Sequence, residues 1–188
     1  MRFLRSAPAG RFARRLGAYL LDCLILFAGV LVTQGVILAL GWNPLAAQVA
    51  AGEPVGGAAL NGWVFATVTV PCLLYFAGFH AGPRGATPGK RWLGLRVTDA
   101  AGARIGLGPA LLRAAVTLLP FEWNHVALFY LMPQDGETSL LAWGGIGLTW
   151  VLVLGYALCI VIDRKGRSPA DWAAGTRVAY QDLRPSLY

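Results

Sequence analysis

Charge is scarce in this chain: Asp, Glu, Lys and Arg make up 13% of its 188 residues, against about a quarter in an ordinary soluble domain. Apolar side chains fill the shortfall, at 56%, and the mean hydropathy is positive. Acidic residues are the rarer sign, 9 against 16 basic, for a formal net charge of +7. Whether that excess speaks for nucleic acid or for a membrane depends on where it sits. Cysteine is sparse too. Cys23, Cys72 and Cys159 lie singly inside apolar stretches, which excludes the paired spacing of a zinc site or a redox dithiol and leaves them as small apolar packing residues. No catalytic triad or nucleophile elbow is present.

What is abundant is long apolar runs. A transmembrane helix needs about 20 apolar residues to cross roughly 30 Å of hydrocarbon, and four stretches qualify: Leu16–Leu40, Leu60–Phe79, Arg113–Met132 and Leu140–Ile162. The third is interrupted by Pro120, Glu122, Asn124 and His125. The first is too long for the h-region of a cleaved signal peptide, about 7 to 15 residues, and reads as a retained anchor.

The basic residues settle the orientation that these spans imply. All 16 fall before the first span, in the loop 80–112 with the first residue of the third span, or in the tail 163–188. The two other loops, Gly41–Ala59 and Pro133–Ser139, carry Glu53, Asp135 and Glu137 and no Lys or Arg. Short cytoplasmic loops collect Lys and Arg. The expectation is therefore an all-α membrane protein, a four-transmembrane-helix bundle with both termini cytoplasmic, forming one domain over 1–188. The alternation requires the third span, and the basic charge faces anionic headgroups rather than nucleic acid.

Within the cytoplasmic loop, Leu93–Thr98 is β-prone, Asp99 to Gly102 signals a turn, and Ala103–Leu107 is the returning strand of an expected hairpin. The tail stretch Thr176–Tyr180 is a candidate third strand that would pair with this hairpin at the membrane surface. No internal repeat is evident, so the duplicated architecture of many secondary transporters is not expected.

Four groups of residues invite a chemical reading. Arg15 and Asp22 share a helix face with Arg11. Asp22 sits about 9 Å inside the first span, where an ionised carboxylate costs roughly 2.5 to 3.5 kcal/mol and must be paired or protonated. It reads either as an ion or proton site or as a polar clamp between helix 1 and the loop or tail. Glu122 and His125, three apart and just past Pro120, point the same way near the middle of the third span. With Asn124 and the carbonyl freed by the proline they form a candidate cation or proton site; the alternative is interhelical hydrogen bonding. Glu-x-x-His is half of a di-metal site, but the chain holds no second copy, so no metal and no cofactor is expected. Gly85-Ala-Thr-Pro-Gly-Lys-Arg91 imitates a phosphate loop and fails at Arg84 and Arg91, so it reads as a turn leading into a basic stretch, with Trp92 at headgroup depth. Gly29 with Thr33, Gly78 with Gly82 and Gly145 with Thr149 are small pairs that permit close helix approach.

Three blocks resemble the RDD family of small bacterial membrane proteins: Arg15-Leu-Gly-Ala-Tyr-Leu-Leu-Asp22 in the first helix, Ala86-Thr-Pro-Gly-Lys-Arg-Trp-Leu-Gly-Leu-Arg-Val97 in the loop, and Ala170-Asp-Trp-Ala-Ala-Gly-Thr176 in the tail. Leu119 to His125 is similar to a segment in one branch of that family. The resemblance implies that Arg15, Asp22 and Asp171 are the name-giving residues, and that the protein sits in the bacterial inner membrane. Transport of ions or other ligands has been proposed for the family. Where many members carry a histidine before the tail aspartate, this chain has Ala170, which puts any role of that imidazole in doubt.

Two functions of different class follow. One is a small transporter or ion- and proton-coupling protein, with Asp22, Glu122, His125 and Asn124 at the ion site and Arg15, Asp171, Lys90 and Arg91 as a cytoplasmic clamp. Four helices make a thin path, so this version expects a homo-oligomer. The other is a non-transporting scaffold or assembly factor that docks a partner through its cytoplasmic loop and tail. Neither is an enzyme.

Overall fold

The computed structural model describes residues 8–131 and 139–180. Helix α1, Pro8–Ala39, begins ahead of the expected span because Arg11, Arg14 and Arg15 are good helix formers. It ends in a Schellman motif: Gly41 takes φ +67°, its N–H bonds to the Leu38 carbonyl and that of Trp42 to the Ile37 carbonyl. A short helix α2, Ala46–Ala50, lies in the following loop. Helices α3, Gly57–Val64, and α4, Val70–Ala81, are joined by a π turn over Phe65–Thr69. Pro71 explains the widening, since it has no N–H to offer the carbonyl of Thr67.

Helix α5, Pro88–Trp92, leads into strand β1, Leu95–Asp99. Helix α6, Leu107–Val126, runs straight through Pro120 and continues as a π turn, Ala127–Leu131. Helix α7, Leu140–Ile162, helix α8, Pro169–Ala173, and strand β2, Thr176–Tyr180, complete the described chain. Among the described residues three helices are long and apolar enough to cross a membrane: Gly10–Ala39, Gly57–Ala81 and Leu140–Ile162. The end of the expected third span, Met132, and the loop residues 133–138 lie outside the described residues, as does the tail beyond Tyr180.

The expected hairpin is not formed. Strand β1 pairs with β2, the expected third strand, antiparallel, with Leu95 opposite Tyr180, Val97 opposite Val178 and Asp99 opposite Thr176. After β1 the chain turns on itself. The Asp99 carboxylate accepts from the Ala103 N–H at 2.8 Å, and Gly102 takes φ +90°. Gly106, Gly108 and Pro109 then suit a helix start far better than a strand.

The structure also corrects the reading that the chain has no repeat. The segment Gly82–Asp99 recurs as Asp163–Tyr180, position for position. Gly85 and Gly166 both take positive φ, as do Gly94 and Gly175. Thr87 and Ser168 are N-caps that accept a backbone N–H at the third helical residue, each is followed by proline at the first, and each five-residue helix leads to a five-residue strand. The two strands of the sheet are thus equivalent, and the Val97–Val178 pair stands at the centre of the register.

The described chain forms two compact units. One contains α4 from Leu73, α5, β1, the first part of α6, the last part of α7, α8 and β2, with α1 up to Ile25; the other contains residues 26–72 and 118–153. In both, apolar side chains face outward: Leu24, Leu38 and Leu140 are 66%, 68% and 90% exposed. The largest fully buried side chains, by contrast, include Asp22, His80, Thr87, Thr98 and Asp171. Buried carboxylates beneath so much exposed apolar side chain suit a fold whose surroundings are apolar.

Small residues permit close helix approach at one of the three expected pairs. A Cβ on Gly145 would come 2.7 Å from that of Ala127, whereas Gly29 and Gly78 face open space. The carbonyl that Pro120 deprives of its donor, that of Val116, is satisfied from outside the helix by the Tyr156 hydroxyl at 2.6 Å. Tyr156→Phe is therefore expected to lower stability by about 1–3 kcal/mol, the cost of an unpaired buried carbonyl, read as thermal unfolding in detergent. A loss below a few tenths would show that the bond contributes nothing.

Candidate functional site

Asp22 is completely buried. Its Oδ2 accepts from the Thr87 hydroxyl at 2.5 Å, and its Oδ1 from the Tyr75 hydroxyl and the Gly89 N–H, both at 2.9 Å. Lys90 Nζ stands 3.8 Å from Oδ2. The carboxylate of α1 therefore occupies the N-terminal end of α5, where backbone N–H groups lack intrahelical partners. Gly89 is required here, because a Cβ at this position would meet the Ala18 carbonyl and lie 2.8 Å from Asp22 Oδ1.

Asp171 plays the matching part in the second copy. It is completely buried and forms a capping box with Ser168. Oδ1 accepts from Arg113 at 3.0 Å and from the Thr176 hydroxyl at 3.2 Å; Oδ2 accepts from Arg15 at 2.5 Å, and from the Ser168 N–H and hydroxyl, both at 2.9 Å. Arg15 also donates to the Gly166 carbonyl. Burial pushes the Asp171 carboxyl up, but Arg113 and Arg15 overcome it and hold it well below the ordinary carboxylate range. Burial drives the Lys90 ammonium down to about 7; Arg113 and Arg15 reinforce this, and Asp22 and Asp171 oppose it.

In the other unit, Glu122 Oε1 lies 3.1 Å from His125 Nδ1 and accepts from the Thr69 hydroxyl. Both Glu122 and His125 are half-buried. Thr69 closes one π turn and His125 precedes the other, so the group sits where the helices are distorted and carbonyls are less tightly bound. Among the described residues no three His, Cys, Asp or Glu side chains converge as a metal site would need.

Each expected residue thus has a place. Arg15 and Asp171 meet, Lys90 meets Asp22, and Glu122 meets His125. Arg91 is exposed, and the hydrogen bonds joining Glu122, His125 and Thr69 do not include Asn124. Ala170, where a histidine is common in the resembling family, is buried in the first turn of α8. Sequence reasoning missed Arg113 as the second partner of Asp171, Thr87 and Ser168 as caps, and Thr69. The caps had a signal, the Thr-Pro and Ser-Pro pairs that mark an N-cap followed by proline at the first helical position; Arg113 and Thr69 had none.

Apolar-faced helices around buried carboxylate anchors define a helical protein of the membrane-spanning class. The chain belongs to the RDD family, whose model matches residues 9–181. No match was found among curated proteins or among solved structures.

Proposed function

We propose that the chain crosses the cell membrane four times, with both termini cytoplasmic, and is a small ion- and proton-coupling transporter whose working group is the Glu122–His125 pair. The one-sided distribution of Lys and Arg supports the topology, with α6 and its π turn as the additional span. The observation that carries the function is the 3.1 Å acid–imidazole contact, with a hydroxyl on the same carboxylate oxygen, at membrane depth between two π turns. Ionisable groups at that depth are costly and serve ion or proton paths by default. A proton held between carboxylate and imidazole can be exchanged for a monovalent cation that takes oxygen from Glu122 and Thr69. The lone pairs of Asp22 are engaged by fixed donors, so we assign it, with Asp171 and Arg15, to closing the cytoplasmic side. The doubled segment around those anchors is in keeping with transporters built from parallel repeats, and a homo-oligomer completes the path.

The test is flux by purified protein in liposomes across a panel of monovalent cations with a proton gradient. Saturable flux that Glu122→Gln lowers by about tenfold or more is expected, since one or two kcal/mol of lost interaction is that large. Equal flux for parent and variant would end the proposal. The scaffold reading is favoured by one observation, the exposed Arg91, Trp92 and Trp172 around the sheet. It predicts no flux and a defined partner recovered with the purified protein.

A further inference from the structure

The repeated segment and the helix turn ahead of it carry different chemistry in the two copies. At the offset that relates Thr87 to Ser168, Lys90 corresponds to Asp171 and His80 to Val161. Val161 is 41% exposed whereas His80 is 2% exposed, so the imidazole is taken into the fold where its counterpart faces outward.

That imidazole is in an unusual setting. His80 is 2% exposed and stacks on Phe76 with ring centroids 6.0 Å apart, and neither of its ring nitrogens has a hydrogen-bond partner among the described residues. A buried polar group left so is costly, and an unassigned ion is a recognised reason for one. Lys90 Nζ lies over the same Phe76 ring, 5.6 Å from its centroid, and Lys90 and Arg113 are the charges that act on His80.

The charges of the cluster around Asp22 and Asp171 do not balance. Three buried cations, Arg15, Lys90 and Arg113, face two carboxylates, Asp22 and Asp171. Asp171 is paired twice at short range, while Lys90 holds Asp22 at 3.8 Å, the loosest contact of the set. One positive charge is in excess, beside an imidazole N–H without an acceptor.

We propose that His80 and Lys90, with Arg113 behind them, bind one small monovalent anion of the halide class. An anion accepts from the imidazole N–H and from the ammonium at once, and a single negative charge brings the cluster to neutrality. The near-complete burial of the ring selects a small ion over a phosphate ester or a lipid headgroup. Proton linkage follows. Lys90 is faced by Asp22 and Arg15 of α1, His80 of α4, Arg113 of α6 and Asp171 of α8, and its ammonium is lowered to about 7 chiefly by burial and Arg113. The site therefore holds its anion most tightly below neutrality and releases it as Lys90 loses its proton. This reading is independent of the Glu122–His125 pair.

The experiment is thermal unfolding of the purified full-length protein in detergent, in sodium chloride against sodium gluconate at equal ionic strength. Chloride is expected to raise the unfolding temperature of the parent by about 2–4 °C at pH 6, by less at pH 9, and not at all in His80→Val, which installs the residue of the other copy. Equal unfolding temperatures in the two salts, or an undiminished chloride effect in His80→Val, would overturn the proposal. A second measurement does not depend on any variant folding. The chain has two histidines, so in protein labelled with 15N in the imidazoles the His80 signals should move with added chloride while those of His125 stay. His80 signals that do not move across the chloride range refute the site.

Discussion

Asp171→Ala is expected to destabilise the protein by about 3–5 kcal/mol. The carboxylate is fully buried and is shared by two guanidinium groups, Arg15 and Arg113, whose side chains are themselves 11% and 6% exposed. Removing it leaves two buried cations without a counter-charge, which costs more than the pair contributes when intact. It also strips the capping box from α8 and the acceptor from Thr176. Asp171→Asn separates these effects. An amide keeps one oxygen for Ser168 but loses the charge, so it should fall between parent and alanine. Arg15→Met in the Asp171→Asn background should then cost far less than in the parent, since the two residues are coupled. The sign with pH follows from the depressed carboxyl. Its stabilisation is present above the ordinary carboxylate range and is lost as pH falls through and below that range, so the difference between parent and Asp171→Ala should stay constant from pH 7 down to about pH 5. Unfolding in detergent that shows less than about 1 kcal/mol lost in Asp171→Ala would remove Asp171 from the centre of the fold.

Hydropathy and charge placed most of the helical structure in advance, because lipid demands long apolar runs and little else. The run Leu140–Ile162 coincides with α7, and the first two runs differ from their helices only at the ends. Local signals also found both strands, since Val97, Val178 and Tyr180 are good strand residues. That the tail strand pairs with the loop was legible as well; that it does so with β1 alone, without the hairpin, was not. The extra strand Ala103–Leu107 was expected because Asp99 to Gly102 reads as a hairpin turn signal, and Gly106, Gly108 and Pro109 lead into a helix instead. The repeat was not evident. Identities are confined to Gly85 and Gly166, Pro88 and Pro169, Gly94 and Gly175, Arg96 and Arg177, and Val97 and Val178, and the likeness becomes plain once the glycine φ values and cap bonds are aligned. At the candidate sites, Asp22, Glu122 and His125 stood out as ionisable residues in apolar runs. Arg113 was counted merely as a basic residue marking orientation, and His80 as the border of a loop. Both acquire a role only from what folds against them.

Lys90 should give this protein a stability that rises with alkaline pH. In the unfolded chain a lysine keeps its proton to about 10.5, whereas in the fold burial and Arg113 bring Lys90 to about 7. Between those values the unfolded state binds more protons, so stability climbs by about 1.4 kcal/mol per pH unit, on the order of 4 kcal/mol across the window. Below pH 7 both states are charged and the contribution is flat. Other groups also titrate above pH 9, so the quantity to measure is the difference between the parent and Lys90→Met. That difference should move in favour of the parent as pH rises from 7 to 10, read in gluconate by thermal unfolding in detergent. A pH-independent difference would mean that Lys90 keeps its proton throughout. The salt then discriminates further. A bound halide stabilises the ammonium, so in chloride the climb should begin at higher pH. Unchanged slopes in the two salts would leave Lys90 a buried, titrating lysine without an anion beside it.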